Sequence, residues 1–116
     1  TLDRARAEYV VEQARANGLP HFTYMLLPND HTEGTTVGRP TPESHVADND
    51  EGLGILVDGI SHIEDLWKKT AIFVIEDDPQ GSGDHVGKAR SFLIVASPWA
   101  RRNYVSHHQT SFLSVH

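Results

Sequence analysis

Residues 71–84 constrain this chain more than any other stretch. Ala71-Ile-Phe-Val-Ile75 is an unbroken apolar run, and Glu76-Asp-Asp-Pro-Gln-Gly-Ser-Gly-Asp84 follows it directly. The run has the length and the β-branched and aromatic content of a strand buried on both faces, as in a parallel sheet. Pro79, Gly81 and Gly83 then stop the strand and force a loop. In open α/β sheets ligands bind just outside the carboxyl ends of strands. Adjoining carboxylates placed there repel one another unless water or a divalent cation accommodates them. The loop therefore reads either as a solvated acidic turn or as part of a cation site.

The flanking segments extend the pattern. Leu2, Ala5, Tyr9, Val10 and Ala14 recur at helical spacing over residues 2–17, and Gly18 stands at the C′ position. Phe22-Thr-Tyr-Met-Leu-Leu27 reads as a second buried strand, with the polar loop Pro28-Asn-Asp-His-Thr-Glu-Gly34 at its end. Thr41 or Ser44 caps the next helix, which has Pro42 in its first turn and extends over Glu43–His62. Ile63–Lys69 is a short helical turn, and Phe92–Ala96 is a third apolar run ended by Ser97-Pro98. Alternating strands and helices predict an α/β fold with a mostly parallel sheet, in which the runs at 22–27, 71–76 and 92–96 are neighbours.

A length of 116 residues allows one domain or part of one, and a formal net charge of −6 argues against a nucleic-acid or anionic-membrane surface. The chain has no cysteine, which excludes disulfides and thiolate metal sites. No apolar run approaches the roughly 18 residues of a membrane span, so no transmembrane segment is expected. The start at Thr1 and the amphipathic Ser111–His116 end suggest a fragment of a longer chain with no signal peptide of its own and with an apolar face left exposed.

Residues of metal-ligand type gather at the ends of the expected strands: Asp30 and His31, then Asp77 and Asp78, then Asp84 and His85, with His107 and His108 beyond the third. Carboxylates with imidazoles suit Zn, Mn, Fe or, with few histidines, Ca. Such a metal polarises a phosphoryl oxygen as a Lewis acid. Taken singly, each of these residues reads equally well as a solvated loop side chain. His45 falls near the start of the long helix and reads as an exposed face or as a residue approaching a substrate.

The segments Leu27-Pro-Asn-Asp-His-Thr-Glu-Gly34, Ala47-Asp-Asn-Asp50, Phe73-Val-Ile-Glu-Asp-Asp-Pro-Gln80, Asp84-His-Val86 and Ala96-Ser-Pro98 together resemble the C-terminal half of a bacterial phosphoesterase. The family groups acid phosphatases and phospholipases C within the alkaline phosphatase superfamily. The resemblance implies that residues 1–116 are the C-terminal half of a three-layer αβα domain. It implies a divalent metal (Zn, Mn, Fe or Ca) with Asp77, Asp78, Asp30 and His85 as ligands, and His31 as a catalytic residue at the phosphate. The third histidine ligand is His85 or His107, or is lost at Ala89. The family's nucleophilic Ser or Thr would lie upstream of Thr1, in the N-terminal half of the same domain. The substrate would be a phosphate-ester small molecule or lipid, and the location periplasmic or secreted. The alternative function is a non-catalytic remnant acting as a metal-binding or interaction module.

Overall fold

A computed structural model of the chain describes residues 2–77 and 91–115. It separates into two compact units, Thr1–Lys69 and Thr70–His116. Asp78, Asp84, His85 and Ala89 lie outside the described residues.

The first unit is built on two helices. The first, α1, spans Asp3–Asn17 and ends at Gly18, whose φ of +73° is a conformation that glycine adopts without strain. Its buried residues are Asp3, Ala7, Val11 and Ala14, a single stripe at helical spacing. The second, α2, spans Pro42–Ser61. Thr41 caps it by accepting the Ser44 N–H on its hydroxyl at 3.3 Å, and Pro42 occupies the first turn. Gly52 lies against the Asp3 backbone, where a Cβ would come within 2.9 Å of the Asp3 carbonyl carbon. One helical stretch later Gly59 lies against Val11, where a Cβ would meet Cγ2 at 2.5 Å. The order of these contacts makes the two helices parallel. Small residues let them approach until Val11 and Ile60 are buried between them. A short third helix, α3, spans Glu64–Trp67.

The second unit holds β1, Ile72–Ile75, and β2, Leu93–Ala96. They pair antiparallel, Ile72 with Ala96, Phe73 with Val95, Val74 with Ile94 and Ile75 with Leu93. Two serine hydroxyls fasten the ends of the ladder: Ser91 Oγ donates to the Glu76 carbonyl at 2.7 Å and Ser97 Oγ to the Thr70 carbonyl at 2.8 Å. A turn follows, closed by the Ala100 N–H on the Ser97 carbonyl at 3.2 Å with Pro98 at its second position.

These observations overturn the three-layer, mostly parallel αβα architecture. Among the described residues the only sheet has two strands, and they are antiparallel. The physical reason stands in residues 76–92. A parallel return needs a crossover, usually helical, whereas that segment carries Pro79, Gly81, Gly83 and Gly87 and no helical periodicity. Phe22–Leu27 forms no strand at all, and Phe22 is 82 % exposed. An apolar run becomes a strand only when a neighbouring strand satisfies its backbone groups, and among the described residues this one pairs with no strand; its Leu27 carbonyl accepts the Asn49 side-chain amide instead. Nor is β1 buried on both faces: Phe73 and Ile75 are exposed, along with Leu93, Ile94 and Val95 opposite.

Candidate functional site

The Asp30-His31 pair sits on a single turn of 3-10 helix, Pro28–His31. What fixes this turn is a polar network beneath it. The Asn29 N–H donates to Asp3 Oδ2 at 2.8 Å, and the Asn29 side-chain amide donates to Asp48 Oδ2 at 2.6 Å. The same Asp48 oxygen accepts the Asp3 N–H at 2.7 Å. Asn49 Nδ2 donates both to Asp3 Oδ2 at 3.1 Å and to the Leu27 carbonyl at 2.8 Å. The start of α1, the middle of α2 and the residues just before Asp30 are thereby joined. Asp3 is fully buried, and the Arg6 guanidinium lies 3.9 Å from its other oxygen, Oδ1. The hydrogen-bond donors gather on Oδ2, whereas among the described residues Oδ1 has no hydrogen-bond partner and only the Arg6 charge nearby.

Asp48 shows the electrostatic balance of this network. Burial pushes its carboxyl pKa up, but the Asp3 amide, the Asn29 side chain and the nearby Arg4 outweigh that effect and hold it below the ordinary value. An open cleft of about 320 Å³ lies alongside, lined by Arg4, Asn29, Ser44, His45, Asp48 and Glu51 among others. The larger cleft, about 410 Å³, runs between α1 and α2 at Val11, Arg15 and Asp58 and holds none of the expected site residues.

Above the network Asp30 and His31 are both exposed. His31 Nδ1 lies 3.4 Å from the Thr32 carbonyl, a weak contact. The chain then turns at Thr32 with φ of +52°, stabilised by the Gly34 N–H on Thr32 Oγ1 at 3.3 Å. Glu33 receives Arg39 Nε at 3.4 Å and faces His45 Nε2 at 4.0 Å. His45 is thus mostly enclosed, with 14 % of its side chain exposed, rather than lying on an open helical face.

Asp77 belongs to the other unit, exposed just beyond β1. Its expected co-ligands Asp78 and His85 lie outside the described residues, and His107 and His108 are exposed in the segment after β2. Among the described residues no three His, Asp or Glu side chains come together to hold a metal ion. Asp30 and Asp77 have the hard-oxygen character that Zn, Mn and Ca accept, yet the described residues do not complete a ligand set.

Sequence reasoning missed Asp3, Asn29 and the roles of Asp48 and Asn49. The available signal was the polar first half of α2, where Asp48 and Asn49 occupy a helix interior that neither residue favours on propensity. No family model matches the chain, and neither the curated proteins nor the solved structures yield a match. The resemblance to phosphoesterases therefore rests on the quoted motifs alone.

Proposed function

We propose that the chain takes part, as a portion of a larger protein, in metal-dependent hydrolysis of phosphoric esters. The observation that carries this reading is the Asp30-His31 turn: an exposed carboxylate and an exposed imidazole on consecutive residues, in a turn whose preceding residues Leu27 and Asn29 are anchored by the Asp3–Asp48–Asn49 network. Rigid support beneath an exposed polar pair is what positioning of a reacting group requires. In this reading His31 contacts the phosphate and handles a proton, Asp30 beside it in sequence is a candidate metal ligand, and Asp77, Asp78 and His85 are candidate ligands carried by the other unit. A divalent cation bound there would supply Lewis-acid polarisation of the phosphoryl oxygen. The reading depends on the motifs and the turn, not on the three-layer architecture. It is tested by hydrolysis of an aryl phosphate by the full-length protein with Zn, Mn or Ca added. His31→Ala is expected to lower kcat about 10²–10⁴-fold, the usual contribution of a positioned acid or base. Equal turnover in both proteins removes His31 from the reaction.

A specific observation favours a second reading, a non-catalytic interaction module. Every residue of β1 and β2 is apolar, so the ribbon presents apolar side chains on both faces. A two-stranded ribbon is marginal by itself, and such faces are normally covered. Metal-independent binding of a protein partner with no turnover under any metal would favour this second reading.

A further inference from the structure

Charge is segregated along this chain. All 16 acidic residues precede His85, and the stretch from there to His116 contains Lys88, Arg90, Arg101 and Arg102 with no Asp or Glu. The net charge of −6 thus conceals a basic C-terminal stretch. Within its described part, large apolar and aromatic side chains stand in solvent. Trp99 is 81 % exposed and Leu113 is 81 % exposed, and Tyr104, Val105 and Phe112 are exposed as well.

Local structure holds several of these side chains outward. Trp99 is the third residue of the turn closed between Ser97 and Ala100, and its N–H lies 3.2 Å from Ser97 Oγ. Phe112 and Leu113 open a single 3-10 turn, Phe112–Val115. That turn is fixed by the Ser114 N–H on the Ser111 carbonyl at 2.8 Å and the Ser111 N–H on Ser114 Oγ at 3.2 Å. The Arg101 guanidinium lies 4.8 Å from the centre of the Tyr104 ring, a cation–π contact that keeps a positive charge beside an aromatic face.

We propose that residues 99–113 form a peripheral docking surface for an anionic lipid bilayer. Each class of residue has a place there. Tryptophan and tyrosine settle at the headgroup level, where one end of the ring is apolar and the other wet. Arg101 and Arg102 meet lipid phosphates and the negative surface potential. Val105, Phe112 and Leu113 enter the headgroup–acyl boundary. Two arginines alone attract weakly, and so do a few apolar side chains alone; stable surface binding takes both signals together. Among the described residues no helix is long and apolar enough to cross a membrane, which fits attachment at the surface. A single-stranded nucleic acid fits less well. Its bases would stack on Tyr104, one face of which Arg101 already covers, and it has no use for Val105 or Leu113.

The test is co-sedimentation of the full chain with phosphatidylcholine vesicles, with and without phosphatidylserine, read together with tryptophan emission. Binding to the phosphatidylserine vesicles is expected, with a blue shift that Trp99→Phe abolishes while Trp67 remains. The double substitution Arg101→Glu and Arg102→Glu should weaken binding by about tenfold or more, since two attractive charges become repulsive. Raising the salt on the unaltered chain should weaken it as well, which needs no variant to fold. No binding to phosphatidylserine vesicles, or binding indifferent to both salt and the double substitution, overturns the proposal. So does a single-stranded oligonucleotide that binds more tightly than the vesicles.

Discussion

The Asp48 carboxylate accepts the backbone N–H of Asp3 at 2.7 Å, so the first amide of α1 is satisfied by a side chain from the middle of α2. Leu2, at the N-cap position, has no side chain able to do this. Asp3 in turn accepts the Asn29 N–H at 2.8 Å, and together the two carboxylates place negative charge at the positive end of the α1 dipole. Cap, helix contact and loop anchor are here a single cluster.

Removing Asp48 should therefore be costly. Asp48→Ala leaves the Asp3 N–H and the Asn29 amide without their acceptor, and a loss of about 1–3 kcal/mol is expected for such orphaned groups. Arg4→Ala breaks an exposed contact with Glu51 at 3.8 Å and removes a charge near Asp48 while leaving the hydrogen bonds of the Asp48 carboxylate to the Asp3 N–H and Asn29 in place, so it should cost less than about 1 kcal/mol. Urea denaturation of the two variants checks the contrast.

The same group predicts an acid dependence. The folded-state pKa of Asp48 is lowered overall, so its contribution to stability is fully present above the ordinary carboxylate pKa. It is lost as pH falls through the lowered folded value. Glu43 acts in the same direction, its pKa lowered by its own backbone N–H and the Thr41 hydroxyl. Asp48→Asn should flatten the acid limb of a stability–pH curve, and an unchanged limb would contradict the assignment.

The helix crossing gives an internal comparison between glycines. At Gly59 an added Cβ would meet Val11 Cγ1 and Cγ2 at 2.6 and 2.5 Å, and the β-branched side chain has little freedom to withdraw. Gly59→Ala is expected to destabilise by about 1–3 kcal/mol through overpacking, despite the better helix propensity of alanine. At Gly54 nothing lies within 4 Å, and Gly54→Ala should stabilise by about 0.4–1 kcal/mol. Thermal melts of the two variants should move in opposite directions.

Much of the local structure was legible in the residues. Gly18 marked the end of α1, Thr41 and Pro42 marked the start of α2, and the runs at 72–75 and 93–96 became strands. Strand direction was not legible from composition, because a strand apolar on both faces looks the same in a parallel core and in a ribbon awaiting cover. The informative signal was the composition of residues 76–92, where Pro79, Gly81, Gly83 and Gly87 give no helical periodicity for a crossover. Phe22–Leu27 misled for a related reason: apolar content gives no partner strand. At the site the Asp30-His31 pair stood out by residue type. Its support did not, because Asp3, Asp48 and Asn49 are far apart in sequence and meet only through the helix crossing.

The central claim is that the acidic residues after β1 are metal ligands, and calorimetric titration of Zn, Mn and Ca into the full-length protein tests it most directly. Asp77 is exposed at the strand end, so Asp77→Asn should leave the fold intact while lowering metal affinity about 10-fold or more, in the range seen when a site's ligand support is lost. His45→Ala, set beside Glu33 rather than in the ligand set, should lower it far less. Loss of metal binding in Asp77→Asn but not in His45→Ala is the result the account predicts. Equal metal affinity in the unaltered protein and Asp77→Asn would contradict it and leave the acidic segment as a solvated turn.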